Sequence, residues 1–105
     1  MVKDIEQICP VARALDVIGE RWTLLIIRDL LKFGPRKFAD LEESLAGISP
    51  NTLSARLKLL ESHAVIEKRL YEQYPPRAEY VLTGKGRQLG GVVLALKKWG
   101  EDFGN

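Results

Sequence analysis

The sequence predicts a mainly α-helical single domain carrying one small two-stranded β-ribbon, and three observations carry that prediction. Apolar residues recur at helical spacing through five segments of the chain. Glycine and proline stand where those segments begin and end. Between residues 65 and 82 the period changes, to two runs rich in β-branched and aromatic residues.

The first helix is expected over residues 10–18, where Val11, Leu15 and Ile18 share a face, Pro10 suits a first helical position and Gly19 closes the segment. A second is expected over 21–33. Trp22, Leu25, Ile26, Leu30 and Phe33 mark one face and Leu24, Ile27 and Leu31 widen it, so this helix is the central one. Gly34-Pro35 ends it, glycine as cap and proline as stop. A short third helix over about 37–45 buries Phe38, Leu41 and Leu45. After the turn Ala46-Gly47-Ile48, Ser49-Pro50 opens the fourth with a side-chain cap and a first-turn proline, and Leu53, Leu57 and Leu60 follow on one face. Residues 65–72 and 77–82 read as the two strands of a hairpin, because Tyr74-Pro75-Pro76 between them cannot continue a ladder. Thr83-Gly84-Lys85-Gly86 leads into a last helix over about 85–103, with Leu89, Val92, Val93, Leu96 and Trp99 on one side and Gly90-Gly91 as a weak point.

A chain of 105 residues, 46% hydrophobic and 29% charged, fits one domain spanning 1–105 with one core. No apolar run approaches the about 20 residues of a membrane span, and Met1-Val2-Lys3-Asp4-Ile5-Glu6 lacks the pattern of a signal peptide, so the expected compartment is the cytoplasm. Net charge is only +2, but residues 1–20 balance to −2 while residues 49–77 balance to +2, which permits a phosphate-binding face in the middle of the chain. Cys9 and His63 are the only residues of their types, which excludes an intramolecular disulfide and a four-ligand Cys/His metal site; neither metal nor cofactor is expected.

The order helix, short helix, turn, helix, ribbon is that of a winged helix-turn-helix. At about 100° per residue the three leucines of the fourth helix lie within about 60° of one another. Opposite them fall Asn51, Ala55, Lys58 and Ser62, with Thr52, Ser54 and Arg56 on the flanks. Short and hydrogen-bonding side chains of this kind allow close approach to a major groove and can meet base edges, while Lys and Arg can meet phosphate or guanine. The helix start also points free N–H groups at phosphate. An amphipathic helix taken alone has a polar face simply because it is solvated. Here that face lacks the usual Glu/Lys pairs, and a basic ribbon with Lys68, Arg69 and Arg77 follows directly. Such a ribbon can reach an adjacent minor groove or backbone; the plainer alternative is that Tyr71, Tyr74 and Tyr80 pack it and Arg77 is a solvated turn residue.

The string Cys9-Pro10-Val11-Ala12-Arg13-Ala14-Leu15-Asp16-Val17-Ile18-Gly19-Glu20-Arg21-Trp22-Thr23-Leu24-Leu25-Ile26 resembles the opening of the HxlR-type winged helix-turn-helix regulators, relatives of the MarR type. Gly34-Pro35-Arg36-Lys37-Phe38, Ile48-Ser49-Pro50-Asn51-Thr52-Leu53-Ser54-Ala55-Arg56-Leu57, Pro75-Pro76-Arg77-Ala78-Glu79-Tyr80 and Leu82-Thr83-Gly84-Lys85-Gly86 follow in the family's order. The resemblance implies a transcription regulator that binds a two-fold-symmetric DNA operator as a homodimer joined through its terminal helices. The candidate DNA contacts are then Ser49, Asn51, Thr52, Ser54, Ala55, Arg56 and Lys58, Arg69 and Arg77 of the wing, and Arg36 and Lys37. The candidate dimer interface is Val11, Leu89, Val92, Val93, Leu96, Trp99 and Phe103. Two departures stand out. Ala64 occupies a position where the family typically has glycine, which means strain if the turn requires positive φ, and Leu59 replaces a residue more often charged.

Cys9 precedes Pro10 at the start of the first helix, where a thiolate is favoured, and some members of the resembled family sense oxidants or electrophiles through a cysteine there. It is therefore a redox candidate; as a small buried hydrophobe it would do nothing of the kind. The effector is not legible. Two other function classes compete. A winged-helix interaction module without DNA binding fits the low net charge. A thiol enzyme built on Cys9 and His63 is remote, since no orienting third residue or oxyanion loop accompanies them and Glu42-Glu43 point apart on a helix. No enzymatic activity is expected.

Overall fold

The computed structural model describes residues 8–104. The acidic opening with Lys3, Asp4 and Glu6 lies outside them. Within them the order is α1 (Pro10–Ile18), α2 (Arg21–Phe33), α3 (Phe38–Ser44), α4 (Pro50–Ser62), β1 (Ile66–Gln73), β2 (Pro76–Leu82), α5 (Gly84–Arg87) and α6 (Gly90–Phe103).

Local chemistry sets the helix ends. Glu20 caps α2 by accepting the Trp22 N–H at 3.1 Å, and Gly34 ends it at φ +77°, a conformation that favours glycine. Ser49 caps α4 by accepting the Thr52 N–H at 3.1 Å, with Pro50 at the first helical position. In α3 the expected ends draw in by one residue each. Lys37 is already extended, its N–H bonded to the Asp40 carboxylate at 3.0 Å, and Leu45 has left the helix.

Ile18, Ile26, Ile27, Leu30, Leu41, Leu45, Leu53, Leu57, Leu60, Val65, Ile66 and Tyr80 form the core, to which α2 and α4 contribute three residues each. Phe33, expected on the buried face of α2, is instead half exposed: the last turn runs out beyond the core, and the ring lies beneath the cations of Arg36 and Lys32.

The wing is an antiparallel ribbon paired from Ile66↔Leu82 to Gln73↔Pro76, with a bulge at Tyr71. Pro76 therefore does enter the ladder, at the first position of its strand, where a missing N–H is tolerated. A further pairing was not anticipated: Arg36 bridges Tyr80, N–H to carbonyl in both directions at 3.1 and 2.7 Å, laying a one-residue third strand beside the wing root.

The last helix is not continuous over 85–103. The chain makes the short α5, turns at Gln88-Leu89 through bonds to carbonyls three residues back, and only then enters α6. Two causes combine. Gly86 is buried with its Cα directly against the Val65 carbonyl, where a Cβ would collide, so α5 is held to the wing root. Gly90-Gly91 then weaken the helix where its direction changes. Of the expected stripe on α6 and its approach, Leu89 and Val93 lean on the core, while Val92, Leu96 and Trp99 face outward.

Candidate nucleic-acid interface

The outward face of α4 follows from its inward one. Leu53, Leu57 and Leu60 are buried, and Asn51, Ala55, Lys58 and Ser62 on the opposite side are exposed. No carboxylate lies on that face; Glu61 sits on a half-buried flank. Ser49 and Thr52 are not independent, because the Ser49 hydroxyl donates to the Thr52 Oγ1 at 2.9 Å while capping the same residue's N–H. Thr52 and Ser54 are half-buried flanking residues.

Arg56 is placed differently from its neighbours. Its Nε is buried without a hydrogen-bond partner and lies 3.9 Å from the Glu20 carboxylate, so the side chain leans back toward the start of α2. Arg36 is likewise turned inward, toward Asp29 and across the Phe33 ring. Lys37 is exposed, with its ammonium 5.2 Å from the Tyr71 ring centre, and thus joins the start of α3 to the wing.

On the wing, Arg69 pairs across the strands with Glu79 at 2.9 Å, and Arg77 lies 3.6 Å from Glu72. Arg77 and Glu72 are both exposed, where an ion pair contributes about 0–1 kcal/mol, so a phosphate can replace that carboxylate at little cost, whereas Glu79 is partly buried. Tyr80 packs the wing root and is buried, whereas Tyr74 at the ribbon's end is 91% exposed and packs nothing. Burial, with a smaller contribution from the nearby Glu61 charge, raises the Tyr80 pKa.

Cys9 is the N-cap residue of α1 and partly exposed. His63 ends α4, and its carbonyl accepts from the Lys85 ammonium at 2.7 Å. Among the described residues no group of three or more His, Cys, Asp or Glu side chains could hold a metal ion, and no helix is long and apolar enough to cross a membrane.

Sequence reasoning missed Glu20 and Asp29. Each had a signal: Glu20 stands immediately before the α2 pattern, where a capping acceptor belongs, and Asp29 falls three residues after Ile26, on the face that the core requires.

A short helix, a turn, a capped helix with a polar outer face and a basic ribbon beside it define a winged helix-turn-helix protein. The chain belongs to the HxlR-like helix-turn-helix family, whose pattern matches residues 17–105. It is similar to an HTH-type transcriptional regulator of Synechocystis, 40% identical over 96 residues that cover 91% of this chain and 70% of that one. An HTH-type transcriptional regulator of Mycobacterium tuberculosis is 43% identical over 93 residues, 89% of this chain but 58% of that protein's length. Among solved structures, the redox regulator HypR in its oxidised form superposes with a TM-score of 0.83 at 35% identity, over 90% of this chain and 96% of that one.

Proposed function

We propose that this chain binds double-stranded DNA as a homodimeric transcription regulator, with α4 in the major groove and the wing against the adjacent backbone. The observation that carries this is the outer face of α4: Asn51, Ala55 and Lys58 are exposed together, short side chains beside one cation, with no acid among them. Asn51 and Thr52 read base edges, with Ser49, Ser54 and Ala55 allowing close approach. Lys58, Lys37, Arg69 and Arg77 meet phosphate.

Support for the dimer comes from the terminal helices. Val11 on α1 and Val92, Leu96, Trp99 and Phe103 on α6 are large apolar side chains left exposed. The rings of Trp99 and Phe103 already meet in a tilted contact, 5.6 Å between centroids. The radius of gyration is 14.8 Å against about 13 Å for a compact chain of this length. Apolar surface of that extent fits a self-complementary two-fold interface.

Titration of genomic duplex fragments at several salt concentrations tests the DNA assignment. Log affinity falling linearly with log salt is expected. A flat response, or no binding to any fragment, rejects it in favour of a protein-interaction module, a reading to which the acid-paired wing arginines lend some weight. The likeness to a redox regulator and the partly exposed Cys9 support an oxidant-responsive switch, in which the single thiol reacts with a second subunit or a small thiol. Oxidant should change operator affinity in the wild type and not in Cys9→Ser; equal responses in the two rule the switch out.

A further inference from the structure

Asp29 is a buried carboxylate that the DNA-binding assignment does not use. It lies in the second half of α2 with its side chain 1% exposed. The Arg28 guanidinium donates to its Oδ1 at 3.0 Å, while Oδ2 has no hydrogen-bond partner and stands 3.9 Å from Arg36 Nη2. Arg36 is the other half of the arrangement. Its Nε is buried and unpartnered, its guanidinium lies 4.4 Å from the Phe33 ring centre, and its Nη2 donates to the Asp40 carbonyl at 3.2 Å. The backbone of that same residue makes both hydrogen bonds of the bridge to Tyr80, the buried residue at the root of the wing.

One residue therefore joins three elements. Its side chain is held by the end of α2 and the first turn of α3, and its main chain is bonded to β2. Arg28 already pairs with Oδ1, so the buried Oδ2 is the atom left without a hydrogen bond, and its charge 3.9 Å from Nη2 restricts where the Arg36 guanidinium can go. Arginine suits this place better than lysine, because a planar fork can stack on an aromatic ring and donate in two directions at once.

We infer that Arg36 is a positioning residue and not a DNA contact: buried Asp29 holds its guanidinium, and the Arg36–Tyr80 bridge carries that hold to the wing root, setting the wing's angle beside α4. The inference rests on the DNA-binding assignment for its consequence, but its mechanical part stands apart from it.

The test uses Asp29→Asn and Arg36→Lys in the whole 105-residue chain, with duplex affinity and amide hydrogen exchange measured together. Exchange at Tyr80 is referenced to exchange at Ile26 in the core, so that general destabilisation cancels. Both variants should weaken binding about tenfold or more, and both should speed Tyr80 exchange relative to Ile26. The two substitutions are chosen for their sign. If Arg36 met phosphate, Arg36→Lys would keep the contact, and Asp29→Asn, which removes a negative charge and frees the arginine, would tighten binding. Wild-type affinity in Arg36→Lys, or unchanged or tighter binding in Asp29→Asn, overturns the inference. So does equal acceleration at Tyr80 and Ile26, which would mark the pair as a general contributor to stability. Failure of the wild type to bind any duplex would instead remove the DNA-binding assignment, leaving the exchange measurement to judge the latch.

Discussion

Ala64 sits at φ +58°, in the left-handed region, immediately after α4. The surrounding bonds explain why it is forced there. The Val65 N–H reaches back to the Leu60 carbonyl at 3.0 Å and the Ala64 N–H to the Glu61 carbonyl at 2.9 Å, the pair of bonds that closes a Schellman cap, with buried Leu60 and Val65 as its apolar contact. An L-residue with a Cβ is disfavoured at the glycine position of this cap by about 1–2 kcal/mol. Ala64→Gly should therefore raise stability by about 0.5–1 kcal/mol after the added chain entropy of glycine, measured by denaturant melts. Tyr80 gives a second expectation at this scale. Burial raises its pKa, so the folded state keeps the phenol protonated where an unfolded tyrosine would ionise. That contribution to stability is complete below the ordinary value near pH 10 and is lost as pH rises through the raised one. In an alkaline absorbance titration the late phenolate component should vanish in Tyr80→Phe. If the late component survives the substitution, another tyrosine is responsible.

On the proposed DNA-binding reading, the wing and α4 divide the work. Asn51 is exposed on the helix and Arg77 lies near the ribbon's end, partnered only by an exposed acid. Asn51→Ala should cost about 1–3 kcal/mol against the preferred operator and little against other sequences, because a base contact is lost. Arg77→Ala should weaken binding to all sequences alike and shallow the salt slope by about one unit, because a phosphate contact is lost. Competition assays with specific and random duplexes at two salt concentrations separate these outcomes, and a reversed pattern would exchange the two roles. The element connecting the halves is the turn from wing to α6. Thr83 Oγ1 donates to the Ala64 carbonyl at 2.6 Å and accepts the Gly86 N–H at 3.0 Å, which ties α5, the wing root and the end of α4 at one point.

At the scale of the whole molecule, the proposed homodimer assigns the exposed row on α6 to assembly and not to folding. Trp99 is 62% exposed and takes no part in the core, so Trp99→Glu should leave the monomer fold intact. It should convert a dimer to a monomer in sedimentation experiments and lower operator affinity steeply, since two half-sites would no longer be engaged together. A variant that stays dimeric would shift the interface toward α1.

Much of this protein was legible in its residues. Pro10, Gly34 and Ser49-Pro50 mark helix ends by local stereochemistry, so α1, α2 and the start of α4 lie where those residues place them. The leucine period of α4 likewise determined its outer face, because burying one side of a helix leaves the other no choice. Residues whose positions depend on distant neighbours were not legible. Phe33 is apolar but overshoots the core, Arg36 is charged but turned inward by Asp29, and Arg56 leans toward Glu20 across the turn between other elements. The break before α6 belongs to the same group, since the Val65 carbonyl, twenty-one residues before Gly86, is what most closely excludes a Cβ there. Local rules act over a few bonds and can be read in order; packing partners are set by three-dimensional proximity, which periodicity and capping do not encode.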